Sequence, residues 1–390
     1  MSEHAAAVEV DPFDDVSLEL LRTRHSAKWT KYDHDVLPAW VAEMDFALAL
    51  PVREVLQQAI ARDDTGYAMP GRLGAAFAGF VRRRFGWEVD AEQVRLVADI
   101  MSGVGELLRA LTEPGDRIVV NPPVYPPFFL FTRLAGREIV EVPLVAGDGW
   151  RLDLDGLEAA FAGGAQAYLL SNPHNPTGTA FAREQLLAVG ELASAHGVTV
   201  ISDEVWAPMT MPGATHVPFV SLGGGAAESG VALSSASKSW NIAGLKAAVI
   251  VTGSERMNAA LRGNLPEHVG VHAGHLGVLA SIAAFEHGEE WLDALVLHLD
   301  RNRAALGELL AEHLPAVGYL PPEAGYLAWL DCRGLGLGDN PAEAFLERGR
   351  VALSEGPTFG EQGRGWARLN FGTSAALLEE AVLRMASALG

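Results

Sequence analysis

The sequence predicts an α/β fold, with a large domain built on a mostly parallel sheet and a smaller α+β domain after it. Two observations carry this. Apolar runs at 117–121, 138–143, 167–171, 198–203, 231–234 and 247–252 are mostly separated by stretches of helical periodicity, such as 183–196. Parallel neighbours need crossovers of that kind. The length, 390 residues, exceeds one ordinary core but suits a large domain joined to a smaller one.

Taken in order, residues 1–50 are irregular, charged and then aromatic, with Trp29, Tyr32, Pro38 and Trp40, and are expected to join the small domain. Helical periodicity marks 51–62, 73–85 and 103–112. With the strand-like runs, these define a large domain over 51–285. A long helix candidate at 289–314 and a mixed stretch at 316–390 define a small domain over 286–390. In open parallel sheets a ligand sits outside the C-terminal strand ends. The polar stretches 172–178, 203–206 and 235–238 fall there.

Composition removes several function classes. A formal charge of −20 repels nucleic acid and anionic membranes. Apolar stretches such as 245–251 are far short of the ~20 residues of a membrane span. The single cysteine, Cys332, allows no internal disulfide. The first residues carry acids where a secretion signal has a basic and then an apolar run, so a cytoplasmic protein is expected.

Lysine is scarce: Lys28, Lys31, Lys238 and Lys246 are all there are. Imine chemistry needs an amine partly neutral near pH 7. Lys28 and Lys31 lie in the charged N-terminal stretch and are poor candidates. Lys238 follows a buried-type strand within Ser234-Ser235-Ala236-Ser237-Lys238-Ser239, where small hydroxyl residues admit a bulky ligand and can bond phosphate oxygens. Read alone, the same stretch is equally a polar loop with a solvated lysine.

Asp203 ends an apolar strand, a costly place for a carboxylate unless a cation pairs it; capping the next helix is the plainer alternative. Two Asn-Pro pairs in Asn172-Pro173-His174-Asn175-Pro176-Thr177-Gly178 make a rigid turn whose amides can reach a ligand. Gly103, Val104 and Gly105 enter a helix, and free N–H groups at a helix start bind phosphate. Tyr125, between prolines, suits an aromatic plate or a packed loop. Arg368 lies in an apolar strand and is expected to face a carboxylate.

In this order and spacing the pieces resemble the fold-type I pyridoxal-phosphate enzymes over nearly the whole chain. Within them the chain resembles the MalY/PatB branch of cystathionine β-lyase-type carbon–sulfur lyases. Carrying that likeness are Lys28-Trp29, 37–46 (LPAWVAEMDF), 287–293 (HGEEWLD), 323–331 (EAGYLAWLD), and Phe359-Gly360 ahead of Arg368-Leu369-Asn370-Phe371.

The resemblance implies an aminotransferase-like fold with a seven-stranded sheet, pyridoxal 5′-phosphate as cofactor, and a homodimer. It implies that Lys238 carries the cofactor as a Schiff base, Asp203 pairs the pyridine nitrogen, Asn175 bonds the phenolic oxygen and Tyr125 stacks on the ring. Gly103, Val104, Ser235 and Ser237 would hold the phosphate. Tyr67 would reach the neighbouring subunit's site, and Arg368 would clamp the substrate carboxylate. The stretch from Trp40 to Phe46 would line the pocket mouth with an aromatic and an acid, favouring a long amino-acid substrate with a second polar end.

Two positions depart from the pattern. Trp206 stands where relatives carry Tyr or His, and its indole can only donate. Lys246 stands where many aminotransferases have a phosphate-binding arginine, and is read as a phosphate contact. His268, His272 and His275 are read as substrate-facing or structural rather than metal ligands.

The expected reaction is β-elimination from cystathionine or a related cysteine thioether. An aminotransferase, a decarboxylating or oxidative enzyme of specialised biosynthesis, and a regulatory protein that keeps the cofactor site are the alternatives.

Overall fold

The computed structural model describes residues 13–390; the side chain of His268 lies outside the described residues. A seven-stranded sheet runs in the order Arg95–Val97, Ala248–Thr252, Gly230–Ser234, Thr199–Asp203, Ala167–Ser171, Arg117–Val120, Glu138–Glu141. Ala248–Thr252 is antiparallel to both its neighbours; the other pairings are parallel. Arg95–Val97 is a strand that the apolar runs did not reveal. At three residues it is too short to show a period.

Register sets up the site. Asp203 lies opposite Ser171 on one side and Leu233 on the other. The chain therefore leaves three adjacent parallel strands at one sheet edge, carrying 172–178, 203–206 and 235–238 out together.

Helices cover the sheet. Ile100–Leu111 buries Ile100, Val104, Leu107 and Leu108. Burying a side chain of that size stabilises by roughly 1.5–3 kcal/mol. The helix can approach closely because Gly103 lacks a Cβ, which would sit 2.6 Å from Leu233 Cδ2.

A second, four-stranded sheet contains Gly318–Tyr319, Leu327–Asp331, Trp366–Asn370 and Ser354–Glu355, in that order. Glu289–His313 leads into it from the first sheet's helices. The N-terminal Leu37–Pro38 pairs in parallel with Val351–Ala352. No helix among the described residues is long and apolar enough to cross a membrane.

Candidate active site

Outside the strand ends lies a cavity of about 320 Å³, whose lining includes Lys238, Asp203, Asn175, Tyr125, Trp206, Ser235, Ser237 and Lys246. A wider cleft of about 800 Å³, walled by Trp87, Arg183 and His216, contains none of these residues.

Lys238 Nζ donates to the Ala42 carbonyl at 3.0 Å. Burial pushes its amine down to about 8, and the Arg368 guanidinium adds to the effect. At that value the neutral, nucleophilic form is accessible near neutrality. Asp203 is buried, and its carboxylate accepts one backbone bond, from Val205 N at 3.1 Å. Burial pushes it up to about 7. A cationic group entering the cavity would pair it and hold it ionised.

Arg368, 6% exposed, donates to Asn175 Oδ1 and Ser354 Oγ, both at 3.0 Å, and to the Trp40 carbonyl at 3.1 Å. These acceptors are all neutral, and its Nε has no partner among the described residues. Burial lowers its pKa to about 10. A buried cation among neutral acceptors is poised for an anion from outside the chain.

Tyr125 opens the helix Pro126–Leu134 after the cis Pro122–Pro123 bond, and its phenol is pushed up by burial. Trp206 packs edge-on against Tyr326, with centroids 5.0 Å apart, and its ring lies 5.9 Å from Lys238 Nζ. Its indole N–H has no acceptor among the described residues. Ser235 Oγ donates to the Ala247 carbonyl at 2.7 Å and accepts from Ser237 N at 3.0 Å.

Gly103 and Val104 require a correction. The helix starts at Ile100, capped by Asp99, whose Oδ1 accepts from Ser102 N at 2.8 Å. Gly103 N already donates to the Asp99 carbonyl, and Val104 is core. Neither lines the cavity, whereas Asp99, Ile100 and Met101 do. The first-turn N–H groups at the cavity without an intrahelical partner are thus those of Ile100 and Met101. The glycine serves helix–sheet packing instead.

The N-terminal segment also differs from its reading. Lys28 is buried and pairs with Asp45 at 2.8 Å; Trp29 Nε1 donates to the same carboxylate at 3.2 Å. Asp45 is therefore not the acid at the pocket mouth, and Glu43 lines neither chamber of the site. Trp40 lines a second chamber of about 390 Å³ that shares Tyr125 and Pro127 with the first.

Motif reading passed over the residues that hold this segment across the site. Asn370 Nδ2 donates to the carbonyls of Val41 and Glu43 at 2.7 and 2.8 Å, and Tyr326 OH to that of Ala42 at 3.1 Å. Asn241 brackets Met44, accepting from its N–H at 2.9 Å and donating to its carbonyl at 2.8 Å.

Lys246 Nζ sits 2.8 Å from Asp99. Tyr67 projects into solvent, 91% exposed. His272 lies apart from the cavity, and His275 Nε2 approaches Asp64 at 3.0 Å. No cluster that could hold a metal occurs among the described residues.

The donor set fits pyridoxal phosphate. It offers an amine with a lowered pKa, a buried carboxylate short of a cation, and an aromatic plate. Hydroxyls and first-turn residues of the helix line the same cavity.

Residues 32–385 match the model of the aminotransferase class I and II family. The chain belongs to that family of enzymes. Among its relatives, cystathionine beta-lyase PatB of Bacillus subtilis (strain 168) is 35% identical, covering 93% of this chain and 96% of its own. Cystathionine beta-lyase of Corynebacterium glutamicum is also 35% identical, over 95% and 99%. The structure of the PLP-bound C-S lyase from Staphylococcus hominis superposes with a TM-score of 0.89 at 26% identity, covering 97% of this chain and 98% of that one.

Proposed function

We propose that the protein is a pyridoxal-phosphate-dependent carbon–sulfur β-lyase that cleaves cystathionine or a related cysteine thioether to a thiol, pyruvate and ammonia. The observation that carries the reading is the buried Arg368, without an anionic partner among the described residues, in the chamber that adjoins the Lys238–Asp203 cavity. Relatives with lyase names support the reaction type.

When bound, the cofactor supplies an electron sink for the charge left on the substrate Cα. Lys238 would hold it covalently, and the same amine is the group placed to move the Cα proton. Asp203 holds the proton at the ring nitrogen. Arg368 binds the substrate α-carboxylate, with Asn175 and the Trp40 carbonyl fixing the guanidinium plane. Tyr125 and Trp206 wall the cavity. Ile100 and Met101 amides, Ser235, Ser237 and Lys246 receive the phosphate. With the proton gone from Cα, the electron pair forms the Cα–Cβ double bond as the Cβ–S bond breaks and the thiolate leaves, and water hydrolyses the released enamine to pyruvate and ammonia.

The assembly is a homodimer in which Tyr67 enters the partner's site. Tyr67 and Met69, 91% and 74% exposed, support this as apolar surface suited to an interface. A cytoplasmic setting fits a chain whose only cysteine is buried and unpaired.

Pyruvate release from L-cystathionine without added keto acid tests the reaction. Stoichiometric conversion of the bound cofactor to its amine form by simple amino acids would identify an aminotransferase instead.

A further inference from the structure

Arg368 and Lys31 both line the second chamber, and the two cations are tied to a single residue. Trp40 gives its carbonyl to Arg368 Nη2 at 3.1 Å. Its ring carries the Lys31 ammonium 4.1 Å from the centroid. Tyr32 meets that ring edge-on, centroids 5.9 Å apart, and lies 5.2 Å from the same ammonium. Two aromatic faces thus hold Lys31 at the chamber wall.

The ammonium has no carboxylate within ion-pair distance among the described residues, although the chain has 49 acidic residues against 29 basic ones. The chamber, about 390 Å³, has room for far more than the side chain of a simple amino acid. Glu355, which also lines the chamber, likewise has no ion-pair partner among the described residues.

We infer that Lys31 is a specificity-determining residue, binding a carboxylate at the far end of the substrate's sulfur substituent. The preferred thioether is then one with an anionic group at each end, the near one on Arg368 and the far one on Lys31. Glu355 suits an ammonium beside the far carboxylate, as in a second amino-acid head. This deepens the lyase reading and rests on it. The polar group at the mouth is a cation from 27–31 rather than the acid that the 40–46 stretch suggested.

The test compares L-cystathionine, with a distal amino-acid head, and S-ethyl-L-cysteine, with none, on the holoenzyme and its Lys31→Gln and Lys31→Arg variants. Pyruvate release gives kcat and KM; spectral titration of the bound cofactor gives binding constants. In Lys31→Gln, KM and the dissociation constant for cystathionine should rise roughly two- to fivefold, the range of a partly exposed ion pair. The kcat should hold, and S-ethylcysteine should be unaffected. Lys31→Arg should restore most of the loss, and added salt should shrink the wild-type preference.

Equal changes for both substrates, or none for cystathionine, would overturn the assignment. If wild type binds both but releases pyruvate from neither, the lyase reading fails, while the ratio of binding constants still decides the role of Lys31.

Discussion

Asp99 and Lys246 form an ion pair, Oδ2 to Nζ 2.8 Å, at the N-terminus of the helix whose first turn faces the cofactor cavity. The carboxylate does two things there. It caps the helix through Ser102, and it takes up the charge of the lysine assigned to the phosphate. Lys246 and the cap bond hold Asp99 below the ordinary carboxylate value, against the opposing effect of burial, so it stays charged. A phosphate dianion entering beside it meets an anion.

Asp99→Asn keeps a good cap and removes that charge. Cofactor affinity, measured by titrating apoenzyme, should rise by roughly two- to fivefold, the scale of a partly exposed ion pair. Unchanged or weaker binding would show that Lys246 serves the phosphate better when paired.

Trp206 depends on Gly325. The glycine has φ +78, and a Cβ there would lie 2.7 Å from Trp206 Cε3. Gly325→Ala therefore strains the backbone and displaces the indole, at a cost of about 1–3 kcal/mol in thermal or denaturant unfolding. Combining it with Trp206→His should recover part of the loss; strict additivity would mean that the two do not compete for space.

Removing Arg368 should be felt in catalysis before stability. Arg368→Gln loses the charge proposed to hold the substrate carboxylate, and kcat/KM for the thioether should fall on the order of 100-fold or more, the scale of a buried charge-assisted contact. A fall under fivefold would move the carboxylate site elsewhere.

Apoenzyme stability should depend on pH through Asp203 and Lys238, with opposite signs. The folded state holds the Asp203 proton up to about 7, whereas an unfolded carboxyl releases it near 3.8. Stability contributed by this group is therefore present below pH 3.8 and lost as pH rises toward 7, by at most about 4 kcal/mol. Lys238 loses its proton near 8 when folded and near 10.5 when unfolded, so stability rises with pH between those values. Unfolding midpoints from pH 4 to 7 should fall less steeply in Asp203→Asn apoenzyme. Parallel profiles for the variant and wild type would place the titrating group elsewhere. Added cofactor should flatten the wild-type profile by pairing the carboxylate.

Much of the site was legible along the chain, because its groups sit where sequence is informative. Asp203 stands out as a charge ending an apolar strand, Asn175 as one of two Asn-Pro pairs, and Lys238 as one of four lysines, after a buried-type strand. Adjacent parallel strands in register then bring these stretches to one sheet edge. Tertiary structure decided what spacing does not encode. The helix begins at Ile100 because Asp99 caps it, which moves the free amides away from Gly103 and gives that glycine to Leu233. Lys28 lies in a stretch that reads as charged surface, yet is buried because Asp45, 17 residues on, folds back onto it. Asn370 holds the carbonyls of Val41 and Glu43 from more than 320 residues away, and Trp40 links Arg368 to Lys31. Local patterns report propensity and periodicity, whereas contacts between distant segments exist only once the two sheets and the N-terminal strand have packed.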